Sequence, residues 1–409
     1  MSLSIAWMHT GAVAASTARR ATVADLGREP FRIFFPQGVL AGIVGAALWP
    51  LHFSGLVESY PGQAHARLMV NGLFGAFIFG FLGTAFPRLL SAPPLGVRNL
   101  LLLQALHLGM VIAYAVQKNF LGDVFFLTLL GLFLVLLLRR AWRRKATPPP
   151  GFVLVGMAFA CALFGAILAV AQPWMDERGA SWLMLQRRFS YQAYVLLPIL
   201  GIGPFLLPRF FGLPSPHDLA EDVGAFAVWK KKAVFALFVG LVIIGSIFLE
   251  LNGSLRAGHA LRFGAVAGYL LLEFPFRKAP KLSNALGACL RIAFGALVGG
   301  LLLITLFPTF RVGLLHLTLI GGFATIAFSV ATRVLFGHSG HLAKLQGRNR
   351  WLLVAVGLML FGMTTRISGD FWPKITATHY SYGAIIWIAG VLVWAYYALP
   401  RALEVEAVG

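Results

Sequence analysis

Two histidines set in apolar sequence raise the question of chemistry. His65 stands at the head of HARLMVNGLFGAFIFGFLGTAFPRLL, and His316 lies inside FRVGLLHLTLIGGFATIAF. A neutral imidazole ligates haem iron or copper, and facing helices hold such a ligand rigidly. An ionisable group within an apolar helix is costly and marks a functional site by default. His52, His259 and His379 fall at the same depth as these two once the helices are placed, so five of the ten histidines gather near one face. For His52 and His259, anchoring at a membrane interface is the competing reading. Arg187 and Arg366 stand at the same face, where a guanidinium can hold a carboxylate such as a haem propionate by paired hydrogen bonds or can snorkel to the headgroups.

The elements that must position these residues are membrane helices. Of the 409 residues 59% are hydrophobic and 12% charged, and the mean hydropathy is +0.81. Soluble domains carry ~25% charge. A span needs ~20 mostly apolar residues, because backbone groups in lipid must bond within the segment. Twelve segments qualify: 36–57, 67–87, 97–117, 120–140, 150–172, 187–208, 230–250, 258–276, 288–308, 311–334, 350–367 and 379–400. Breaks rich in Pro, Gly or charge separate them, among them ESYPGQ, RRAWRRKATPPPG, FRKAPK and GDFWPK. The expectation is an all-α bundle of about twelve spans over 34–401. Residues 1–33 then form a polar tail rather than a cleaved leader, and residues 402–409 a short second tail.

Of the 34 Lys and Arg residues, 23 lie in the tails and alternate loops, so both termini are expected in the cytoplasm. The formal charge of +20 is accordingly a topology and lipid-headgroup signal and not a nucleic-acid footprint. Cys161 and Cys289 lack a CxxC partner and read as small core residues. The fourteen acidic residues stand in loops, tails or helix ends, with Asp123, Glu250 and Glu273 among those nearest the membrane. Carboxylate-coupled transport therefore has no evident carrier, and no glycine-rich phosphate loop, GxSxG or HExxH motif supports common hydrolase chemistry. GHALRFGAVAGYLLLEFPFRKAP in the eighth span echoes HARLMV and FPRLLSAP in the second, as a duplicated six-helix unit would.

HARLMVNGLFGAFIFGFLGTAFP resembles the signature of the NnrS family, in which His-Ala-His-Glu-Met leads a glycine-rich helix ending in Thr-Ala-x-Pro, here Thr84 to Pro87. LGIGPFLLPRFFG, HLTLIGGFATIAFSVATRVLFGHSG and TRIS with IIWIAGVLVWAYYALPR are similar to further family blocks, so the likeness covers roughly 31–401. The resemblance implies a multi-pass protein of the bacterial inner membrane that holds haem and copper and serves tolerance of nitric oxide. Where the family has its second histidine and its glutamate, this chain has Arg67 and Leu68. His65 is then the expected ligand, and Arg67 an anchor or a partner for an anion such as a propionate. The expected metal set is His65 and His316, with His52, His259 and His379 as further candidates. The rival expectation is a metal-free permease or channel that uses the same outer cavity.

Overall fold

The computed structural model describes residues 18–175, 179–219, 225–274 and 284–407, and the chain is an all-α bundle. His9 and the whole FRKAPK break lie outside the described residues. The long helices are α1 Phe31–Phe53, α2 Gly62–Leu89, α3 Val97–Ala115, α4 Asn119–Trp142, α5 Phe152–Trp174, α6 Ser181–Phe211, α7 Ala225–Leu251, α8 Leu255–Glu273, α9 Ala285–Leu306, α10 Pro308–His338, α11 Arg350–Phe371 and α12 Pro373–Leu403. All except α8 are long and apolar enough to cross a membrane. Arg256, His259 and Arg262 make α8 more polar than the others. Several helices run beyond their apolar runs, α2 starting at Gly62 and α10 at Pro308.

The first and last described segments meet at one face. Strand Ala18–Arg20 pairs antiparallel with Glu404–Glu406, Arg19 standing opposite Val405. The described part of the expected tail, from Ala18 onward, is therefore folded onto the bundle. Arg32, assigned to that tail from sequence, is buried inside α1, where its guanidinium donates to the carbonyls of Ala402 at 2.8 Å and Glu404 at 2.6 Å and to Glu29. Glu29 also meets Arg88 of α2 at 2.5 Å and His338 of α10 at 2.6 Å. Burial alone would raise its pKa, but His338, Arg32 and Arg88 together hold it well below the usual carboxylate range. We call this the terminal face and the opposite one the distal face.

Helices α2, α6 and α10 share a local departure from α-helical geometry. Each contains a π-helical stretch, Leu68–Phe74, Phe189–Ala193 and Leu317–Ala324 respectively. Such stretches insert a residue into a helix and recur at functional positions. Arg67, Arg188 and His316 stand directly before the three stretches. Arg67 and Arg188 are 121 positions apart, as are Pro87 and Pro208, and Arg88 and Arg209. Helices α2 and α6, four helices apart, thus share three matched positions, and α10, four helices further on, shares the π stretch, a relation different from the expected α2 and α8 echo.

These three helices are central. In α2 and α6, 83% of the apolar window is buried within the chain, against 44% in α3 and α4. Glycine permits the closest approach of α1 to α2: a Cβ on Gly80 would stand 3.0 Å from the Phe31 Cα, and one on Gly72 would stand 2.8 Å from the Ala41 Cβ. Between α2, α6 and α10 lies a cavity with about 710 Å³ of empty space, part of it open to the surroundings. It is walled by apolar side chains such as Phe77, Ile202 and Val330 and completed by Phe35 of α1. It occupies the half of the axis nearer the terminal face, starting at the last residues of the π stretches of α2 and α10.

Candidate functional site

His65 and His316 come together at the distal face. His65 lies in the first turns of α2, and its Nδ1 donates to the Gly45 carbonyl of α1 at 2.9 Å. His316 ends the opening turns of α10, and its Nδ1 donates to the Val312 carbonyl one turn back at 2.8 Å. A carbonyl only accepts, so both rings carry their proton on Nδ1 and keep the Nε2 lone pair. The two imidazoles interact electrostatically with one another and with the Arg366 guanidinium of α11. Both rings are only half buried. Tyr382, a candidate partner for His316 in sequence, is exposed, and the Val312 carbonyl fills that role.

Arg366 is a built part of this site and does not snorkel. Its Nη1 donates to Asp370 at 2.6 Å, and its guanidinium carbon lies 3.4 Å from the Tyr380 ring centroid. Tyr380 donates its hydroxyl to the same Asp370 and packs against Trp49, whose ring also meets His65 with centroids 5.7 Å apart. The Arg366 Nε is buried without a partner.

The other expected residues distribute differently. His52 donates from Nδ1 to the Val57 carbonyl at 2.9 Å and stacks edge-on with Tyr60, which suits a helix-end role. His379 pairs its Nδ1 with the Ser368 hydroxyl at 2.7 Å. His259 belongs to a separate buried cluster in which Glu250 of α7 meets Arg188 of α6 at 2.7 Å, Arg262 of α8, and the His259 Nδ1 at 3.3 Å. Arg187 is exposed, and its neighbour Arg188 turns inward instead. Arg67 is no lipid anchor. It is buried, and its anion partner is Asp123 of α4, with two contacts of 2.8 Å.

Sequence reading missed the part played by Asp123 and Glu250. Both stand near helix ends, as expected, but both are buried and neutralise arginines of other helices. Arg67 and Arg188 share one relation to the π stretches, and each meets an acid near the distal end of a later helix. His316, at the third such position, has no acid partner among the described residues and lies within electrostatic range of Arg366. The apolar cavity is a feature the sequence reading missed, and none of the five distal histidines lines it. Its walls are Phe, Leu, Ile and Val, which in sequence look like any lipid-facing residue.

The donor set can be tested against each expected group. Among the described residues no three His, Cys, Asp or Glu side chains converge as a metal-binding cluster. A copper ion held by protein alone wants more donors than His65 and His316 give. Haem brings four ring nitrogens of its own and asks the protein for one or two axial imidazoles and a cation near its propionates. The pair His65 and His316 with Arg366 fits that demand.

No curated relative matches the chain. The family model described as NnrS protein matches residues 25–404, nearly the whole length. The chain is a membrane-spanning member of the NnrS family.

Proposed function

We propose that this NnrS-family protein binds haem at its distal face, where His65 and His316 would hold the iron and Arg366 would hold a propionate. In this reading it serves the bacterial response to nitric oxide from the inner membrane, with both termini in the cytoplasm. The supporting observation is the matched pair of imidazoles, each fixed through Nδ1 to a backbone carbonyl and each free at Nε2. When bound, haem would supply an iron at which a small diatomic molecule can coordinate in place of one of the two imidazoles. The chain orients the rings, places a guanidinium beside them and packs Trp49 and Tyr380 against the site. Copper finds less support here, for want of a third side-chain donor among the described residues.

The apolar cavity favours a second reading, a permease for small apolar molecules that needs no metal. Haem and metal analysis of protein purified from haem-replete membranes separates the two. The first reading expects about one haem per chain, bound with a Soret band that shifts when nitric oxide is added. Folded protein without haem after reconstitution supports the second.

A further inference from the structure

Among the described residues, no acid neutralises the guanidinium of Arg333 of α10. The residue is 9% exposed, its Nη2 is buried without a hydrogen-bond partner, and its one contact of note is the face of Phe210, with the guanidinium carbon 5.6 Å from the ring centroid. A buried charge without a partner is strongly unfavourable. Among the described residues, carboxylates at the terminal face are engaged by other cations: Asp25 by Arg19, Glu29 by Arg32 and Arg88, Asp218 by Arg209, Glu273 by Lys232 and Glu404 by Arg401.

The position of this cation gives it meaning. Val330 and Leu207 line the axial cavity, and Arg333 and Phe210 follow each of them by three residues on α10 and on the 3₁₀ end of α6. Residues three apart share a helix face. The guanidinium therefore stands one turn beyond the end of the apolar chamber that lies nearer the terminal face. The lining runs from Phe323 to Ala331 on α10 and from Val195 to Leu207 on α6, about 12 to 18 Å along the axis at ~1.5 Å per residue. That is the reach of an acyl chain. The walls offer no histidine, cysteine, methionine or tyrosine, so nothing there could ligate a haem iron.

We propose that this chamber binds one long-chain fatty acid, its chain between α2, α6 and α10 and its carboxylate on Arg333. A carboxylate accepts two parallel hydrogen bonds from a guanidinium, which would satisfy the orphaned Nη2. A free carboxylate also suits the depth. Arg333 lies five residues before the end of α10, about 7 Å inside at the helical rise, where a bulky phosphodiester headgroup is harder to seat. This site is separate from the distal histidines, and its test stands whether or not haem binds there.

The full chain in phosphatidylcholine nanodiscs is titrated with cis-parinaric acid, with empty discs as background. Saturable binding of one equivalent is expected, displaced by palmitate but not by hexadecanol, which has the same chain without the charge. Arg333→Gln should weaken binding at least roughly tenfold, the loss of a charge-assisted pair, and Arg333→Lys should retain most of it. Ala327→Trp, which fills the chamber, should abolish it. No saturable binding above empty discs overturns the proposal, as does equal displacement by hexadecanol. Displacement by phosphatidylglycerol but not palmitate also overturns it, assigning the site to a phospholipid. The competition arms use only the wild-type chain, so the outcome does not depend on any variant folding.

Discussion

Arg67 and Asp123 face each other as a two-pronged ion pair: Nε donates to Oδ1 at 2.8 Å and Nη2 to Oδ2 at 2.8 Å, joining α2 to α4. Tyr114 of α3 donates its hydroxyl to the same carboxylate at 2.8 Å, so three helices meet on one acid. Arg67 occupies the position where the family pattern carries its second histidine, and here it secures the bundle.

Removing one member of this pair should leave the other buried and charged. Arg67→Met or Asp123→Leu alone is expected to cost about 3–5 kcal/mol of stability, and the double variant much less than the sum. Arg67→His should likewise destabilise and add no haem. Thermal unfolding of the four proteins in one detergent checks the cycle; additive losses would show that the pair is not coupled.

Glu29 predicts a pH dependence. Its pKa is depressed in the fold, so its contribution is complete above the ordinary glutamate value, about 4.3, and is lost as pH falls through the lowered folded value. Wild type should therefore exceed Glu29→Gln in thermal stability at neutral pH, and the two should converge on acidification. A gap that stays constant down to strongly acid pH would contradict this.

The pairing of Ala18–Arg20 with Glu404–Glu406 puts the first and last described segments on one face, which carries the orientation to a single readout. A reporter active only in the periplasm, fused after Gly409, should be silent, whereas a cytoplasmic reporter at the same place should be active. Strong periplasmic activity would invert the bundle.

What the sequence disclosed follows from which forces are local. Hydropathy along the chain found the helices, because each segment must satisfy its own backbone bonds in lipid. His316 was legible as a polar group in an apolar run, and His65 as the polar head of another. The pairing of Arg67 with Asp123 was not, since 56 residues separate them and each alone reads as an interface charge. Arg187 and Arg188 are adjacent and chemically identical, so only the rotation of α6 shows that Arg188 turns inward. The four-helix spacing of α2, α6 and α10 emerged from where the π stretches fall, a geometric property that composition does not report.

The central claim is that His65 and His316 hold one haem, and the coordination state of that haem tests it most directly. In the wild-type chain, low-temperature electron paramagnetic resonance should show low-spin ferric haem with two imidazole ligands. His316→Ala and His65→Ala should each convert it to a high-spin form or lose it, with the protein still inserted, and His316→Gln should not restore the wild-type signal. An unchanged low-spin signal in well-folded His316→Ala would contradict the account and remove His316 from the site.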